Sequence, residues 1–297
     1  MTVMSSDVTP PIPIRLREAF RRCGGQPRQP AMRWNRSTWQ TTLPEHHDLL
    51  ASLPDKLDRA TVTAIGARAP ESEARAIDAF VAAMAWGYGP IGYGAFRTAR
   101  VLRENPQSPA TLRQAARVVR HDGGEAAFGW LTENRLHRLG VAFATKYLYF
   151  CNGPEAPPAL ILDRVVQRWL RRHADTHLRL NWHVGDYRRY LETTTVWAGE
   201  LGITPDEVEY LMFSDSLLEE PGNSPWAPQP VAGAVADFDQ EDVSAVLESL
   251  DDAGNAFAAL PGTSPADTED FDRGLRQLRR IVLARDSVDS EAPPRLP

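Results

Sequence analysis

The sequence predicts an all-α protein, a helical bundle with short connections. Three observations carry that prediction. From residue 31 to 215 the apolar residues recur at three- and four-residue spacing. Proline and acidic residues sit at the starts of those stripes, and alternating polar–apolar runs with hairpin turns are missing. With 297 residues, 42% of them hydrophobic and 24% charged, the chain is long enough for one large domain or two ordinary ones.

The elements follow in order. Residues 1–30 hold Pro10, Pro11, Pro13, Pro27 and Pro30 around one short helical stretch, IRLREAFRRC, and read as a flexible, loosely attached arm. PESEARAIDAFVAAMAW starts with Pro70 and an acidic first turn, then aligns Ala76, Phe80, Ala83 and Met84 on one stripe. SPATLRQAARVVRH opens with Ser108 as N-cap and Pro109 at the first helical position. AFATKYLYFC ends near Asn152-Gly153, the Pro157-Pro158 pair stops the chain, and LILDRVVQRWLRRH begins the next helix. Thr204-Pro205-Asp206-Glu207 is a capping box ahead of Val208, Leu211, Met212 and Phe213. GNSPWAPQPVAGA is then a linker to two helical patterns, near 239–259 and 267–285. The expected organisation is an arm at 1–30, a helical domain at 31–215 and an acidic, proline-rich tail at 216–297.

Charge divides along the same lines. From Ser216 onward there are 16 acidic and 6 basic residues, a net of −10; the preceding residues carry 23 and 27, a net of +4. A mildly basic body suits a phosphate-rich partner, and an acidic tail either solubilises the chain or screens that body. No apolar run approaches the roughly 18 residues of a membrane span, and the N-terminus lacks an apolar signal core. The expectation is a soluble, cytoplasmic protein. Cys23 and Cys151 are too few and too far apart for a disulfide framework or a zinc site.

Lysine usage is the sharpest anomaly. Of 33 basic residues only Lys56 and Lys146 are lysine. Lys146 has Ala142, Phe143, Tyr149 and Phe150 as its neighbours three and four positions away, so it lies in an apolar stretch. Lysine differs from arginine chiefly in that burial can turn it into a neutral amine nucleophile. Asp163 lies at the start of the following helix, where a carboxylate caps the free amides. The intervening loop lets both side chains reach one cleft. Two readings of the pair stay open: a buried ion pair that joins two helices, or an amine and carboxylate equipped for Schiff-base chemistry.

Two other motifs read as structural. Gly87-Tyr-Gly89-Pro-Ile-Gly92-Tyr-Gly94 satisfies G-x-G-x-x-G, but a helix precedes it and Pro90 interrupts it. A dinucleotide site needs a strand before it, so this is a tight aromatic turn, packing or ligand-facing, with Arg97 and Arg100 beyond it. His173 and His177, with His183 further on, lack a suitable carboxylate or thiolate and read as solvated, as do His46 and His47; no metal is expected.

Several segments together resemble a known family. Trp34, Trp39 and Leu43-Pro44, WGYG..GYG..R from Trp86 to Arg97, G.AF.TK.LYF from Gly140 to Phe150, and LILDR from Leu160 to Arg164 are similar to segments of the helix-hairpin-helix–GPD superfamily of DNA glycosylases. The likeness is greatest to bacterial proteins of the 8-oxoguanine DNA glycosylase fold and spans roughly 31 to 213. It implies a core of two helical subdomains that bend duplex DNA and flip a damaged nucleotide into the cleft between them. It further implies Lys146 as nucleophile at C1′ of the deoxyribose, Asp163 as its electrostatic partner, and a bifunctional glycosylase and abasic-site lyase that needs no cofactor. Gly140, Val141 and Ala142 would grip the DNA backbone, Arg97 would read the opposite strand, and Trp86, Tyr93 and Phe150 would stack on the flipped base or fill its place. Nothing in the sequence marks an oligomer, so a monomer is the default expectation, cytoplasmic and associated with the nucleoid.

The chain departs from that pattern in places. The hairpin has one glycine where the family usually has two, Val165 stands where a histidine is common, and Phe150 where a small residue often faces the base. These departures leave room for another modified base. A non-catalytic DNA-binding protein on the same fold is the alternative.

Overall fold

The computed structural model describes residues 10–90, 93–219, Leu250 and 264–289. Contacts divide the chain into two units, Met1–Gln229 and Pro230–Pro297. The first holds α1 (Ile14–Arg22), α2 (Arg36–Thr42), α3 (His47–Ser52), α4 (Arg59–Gly66), α5 (Glu73–Tyr88), α6 (Tyr93–Glu104), α7 (Ser108–Glu133), α8 (Val141–Cys151), α9 (Arg164–Ala174), α10 (Val184–Leu201) and α11 (Pro205–Glu219). Among the described residues the only β-structure is a two-residue antiparallel pair, Met32–Arg33 with Lys56–Leu57, so the fold is all-α. No described helix is long and apolar enough to cross a membrane. The second unit holds the helix Pro265–Asp289, which contains the 267–285 pattern; the linker and nearly all of the 239–259 pattern lie outside the described residues.

Helix α5 is the centre of the bundle. Every residue from Ala79 to Trp86 is buried, as expected of a helix that is apolar on all sides. Its alanines let α4, α6, α7 and α8 approach closely, and all four pack on it. Ser72 caps it by accepting from Arg75 N–H. Helix α7 bends at Gly123, whose φ of 83° favours glycine. A Cβ there would stand 2.6 Å from Pro157, so the bend seats the proline-rich loop between α8 and α9 against α7.

That loop ends in a buried, irregular segment, Ala159–Leu162, whose backbone polar groups must find partners in the core. Tyr187 and Tyr190 of α10 supply them. The Tyr187 hydroxyl accepts from Leu160 N–H and donates to Leu160 O, and Tyr190 donates to Ile161 O. From the α8 side Thr145 accepts from Leu162 N–H at 3.1 Å. The segment delivers Asp163 to the N-terminal start of α9.

The N-terminal arm differs from its expectation. Proline content suggests loose attachment, yet residues 10–22 are docked: Ile12, Leu16 and Ala19 are buried, α1 packs on α11, and Trp197 donates to Pro10 O. The reason is a buried carboxylate. Asp215 of α11 is 1% exposed and accepts from Arg15, from Arg22 and from the Trp169 indole N–H. Asp215→Ala strips the buried indole of its acceptor and two arginines of their anchor, so it lowers stability by about 1–3 kcal/mol in urea unfolding. Asp215→Asn, which keeps an acceptor, loses less.

Candidate active site

Lys146 and Asp163 meet. Lys146 Nζ lies 3.3 Å from Asp163 Oδ2, with side chains 10% and 15% exposed. The two oxygens of Asp163 have separate tasks: Oδ1 accepts from Val165 and Val166 N–H as the cap of α9, which leaves Oδ2 for the amine. The capping role inferred from sequence and the pairing role coexist on one side chain. The amine is also oriented by its own helix, since Nζ stands 5.3 Å from the centre of the Phe143 ring. Gly87 of α5 makes room for the lysine stem; a Cβ there would lie 2.9 Å from Lys146 Cδ.

A second ion pair shares the same core and was not anticipated. Arg59, the first residue of α4, reaches inward to Glu209 Oε2 at 2.6 Å and to Gln29. Its guanidinium lies 4.7 Å from the Tyr149 ring and 5.5 Å from that of Trp86. Burial pushes the Glu209 carboxyl up to about 7, against the pull of Arg59; Asp163 adds to the rise and Lys146 opposes it. Tyr149, whose hydroxyl donates to Asp206, is pushed up to about 12, chiefly by burial. Tyr149 and Phe150 follow Lys146 by three and four residues on α8, so this helix serves both pairs. Glu209 does carry a signal in the sequence. It falls on the stripe of Met212 and Phe213, a charge on an apolar face like Lys146.

The other expected site residues are divided. Gly140 is the exposed N-cap of α8, with an extended backbone, no side-chain cap and open space where a Cβ would be; Val141 is buried and Ala142 half-buried. The turn before it is closed by Leu139 N–H on Leu136 O, and Arg138 takes φ 67° within it. Arg97 lines an apolar recess with Tyr88, Arg138 and Phe143, and Tyr93 is half-buried at the start of α6. Trp86 and Phe150 are corrections. They form an edge-to-face pair, ring centres 5.0 Å apart, at 3% and 0% exposure. The α5–α8 contact turns both inward, so neither ring has a face open to a base.

Of the histidines read as solvated, His47, His177 and His183 are exposed, whereas His173 is not. His183 caps α10 by accepting from Asp186 N–H, and His173 is half-buried against Glu219 at 3.1 Å. His173, Asp215 and Glu219 bring possible ligand atoms within 4.8 Å of one another. Their carboxylates are already engaged by Arg15, Arg22 and Arg172, cations that a metal ion would have to displace. The cluster is an ion-pair network between α1, α9 and α11.

Comparison with known proteins bears on the whole of this site. The family model described as "Putative 8-oxoguanine DNA glycosylase OGG-like protein" matches residues 25–213, well over half of the chain and both ion pairs. The chain belongs to that family. No curated protein and no solved structure matches it.

The Glu209 carboxyl makes a pH test available. Its folded value is raised above the ordinary 4.5 to about 7. Between those values the folded state holds a proton that the unfolded state has released, so stability falls as pH rises through this window. Wild type therefore loses on the order of a few kcal/mol relative to Glu209→Gln between pH 4.5 and pH 7. Thermal melts of the two proteins across that range measure the difference in slope.

Proposed function

We propose that this member of the OGG-like 8-oxoguanine DNA glycosylase family is a DNA-repair enzyme that excises 8-oxoguanine from duplex DNA and then cleaves the abasic site. The observation that carries the reading is Lys146, held 3.3 Å from a helix-capping carboxylate in a chain with 31 arginines and two lysines. An ion pair that merely joined two helices would be served as well or better by arginine, which forks onto carboxylates and stays charged. A Schiff base requires lysine.

The chemistry follows from the pair. Lys146 gives up a proton, for which Asp163 Oδ2 is the nearest acceptor, and its lone pair attacks C1′. The C1′–N bond breaks and its electrons leave with the base, which is protonated in turn. Asp163 offsets the positive charge that develops on the sugar. Opening of the sugar ring gives an imine between C1′ and Nζ, whose electron withdrawal lets a C2′ proton depart and the 3′-phosphate leave by β-elimination. Gly140 to Ala142 would hold a backbone phosphate on the uncapped start of α8, and Arg97 would reach the opposite strand. The turn followed by the lysine helix favours membership of the helix-hairpin-helix–GPD superfamily and its bacterial branch. The helical region 31–215 would be the glycosylase domain, acting as a monomer in the cytoplasm, with the acidic tail outside it. Burial of Trp86 and Phe150 leaves Tyr93 as the aromatic candidate for the base or the gap it leaves.

Borohydride trapping on duplexes that contain 8-oxoguanine opposite each normal base, an abasic site or no lesion tests the reading. A covalent adduct on the lesion duplex that is lost in Lys146→Gln is the expected result. Trapping on the abasic duplex alone keeps the lyase and reopens the question of the base. Duplex binding without any adduct overturns the enzyme in favour of a binding protein.

A second variant isolates geometry from folding. Gly87→Ala gains helix propensity of up to about 1 kcal/mol but drives a methyl into the lysine stem. The folded protein is expected to melt within a few degrees of wild type and to trap roughly tenfold or more slowly, because Nζ is displaced from Asp163.

A further inference from the structure

We propose that Asn105 and Glu104, at the end of α6, are positioning residues that hold the turn at 136–139 so that the start of α8 meets the DNA backbone. This rests on the reading above, that the first turn of α8 holds a phosphate.

Asn105 is 2% exposed and treats His137 as a strand neighbour would. Its Oδ1 accepts from His137 N–H at 2.7 Å, and its Nδ2 donates to His137 O at 3.0 Å and to Val101 O at 2.7 Å. Only an amide of this length offers a donor and an acceptor side by side there. Aspartate would face two carbonyl oxygens without a proton to give. Glu104 holds the other half of the turn: it lies 3.0 Å from His137 Nδ1 and accepts from Arg138 Nε at 2.6 Å, while Arg100 donates to its other oxygen. Burial raises this carboxyl, but Arg138 and Arg100 outweigh that and hold it at about 2, so the contact persists at any working pH.

The arrangement answers a local problem. Arg138 occupies φ 67°, a conformation that glycine takes freely and other residues resist. The turn carries no glycine until Gly140, and it is closed by one internal backbone hydrogen bond. What fixes its shape is therefore the last side chain of α6 and that of Asn105, the residue after it. The same helix carries Arg97 eight residues upstream. One rigid element thus sets the spacing between the opposite-strand contact and the phosphate contact. The inference predicts that releasing the clamp weakens DNA binding and leaves the chemical step at Lys146 alone.

The test uses full-length protein, a duplex with a reduced abasic-site analogue for affinity by fluorescence anisotropy, and single-turnover trapping on an abasic duplex at saturating enzyme. Asn105→Asp is expected to weaken duplex binding by roughly tenfold, and Glu104→Gln by about threefold, with the saturated trapping rate within about twofold of wild type. Amide exchange across 136–142 should rise in parallel. Unchanged affinity in a variant whose turn exchanges faster overturns the proposal, as does a saturated rate that falls as far as affinity. Glu104→Gln, on a partly exposed carboxylate, carries the test if Asn105→Asp does not fold. Failure of wild type to bind duplex overturns the glycosylase reading and this proposal together. Binding by wild type and variants alike overturns only this one.

Discussion

The carboxylate of Asp163 is the point on which the site depends. One oxygen is committed to the first amides of α9 and the other to Lys146. The cap restrains the first oxygen and so holds the second toward the amine, while Phe143 and the space at Gly87 set the position of the lysine. A carboxylate in this position also compensates the positive charge that its partner carries in a largely buried setting. The same residue therefore starts a helix and orients a candidate nucleophile.

Keeping Asp163 in place requires a stretch of irregular chain in the core, which is costly unless every polar group is satisfied. The structure meets the requirement with Tyr187, Tyr190 and Thr145 on the segment from Leu160 to Leu162. Gly123 lets the preceding prolines sit against α7. These residues touch neither amine nor carboxylate, yet they decide the distance between α8 and the start of α9. The arginine–glutamate pair has a comparable role from the other side. Arg59 and Glu209 tie α4 to α11 next to the aromatic residues that follow Lys146 on α8.

The lysine is informative because the chain otherwise uses arginine. Arginines here hold structure: Arg15 and Arg22 dock α1, Arg59 joins two helices, Arg138 secures a turn. Each uses the several donors and permanent charge of guanidinium. At position 146 those properties give way to an amine, at the one buried cation that faces a capping carboxylate among the described residues. The family match covers both members of the pair.

The sequence by itself determined the all-α class, the helix starts at Asp163 and Pro205, and the Lys146–Asp163 pair, because caps, periodicity and a misplaced charge are local signals; the helix expected to start at Pro70 begins three residues later, behind Ser72. It also marked the end of α8 at Asn152. Tertiary structure alone decided which aromatics are accessible. Trp86 and Phe150 lie on segments that resemble a ligand site, and only the packing of α5 on α8 turns them into core. It likewise decided that residues 10–22 dock, because Asp215, almost two hundred residues away, needs their arginines. Thr145, Tyr187, Asn105 and Gly87 could not be assigned from sequence. Their roles consist of contacts with chain segments far removed along the backbone, and nothing in their immediate neighbours records those contacts.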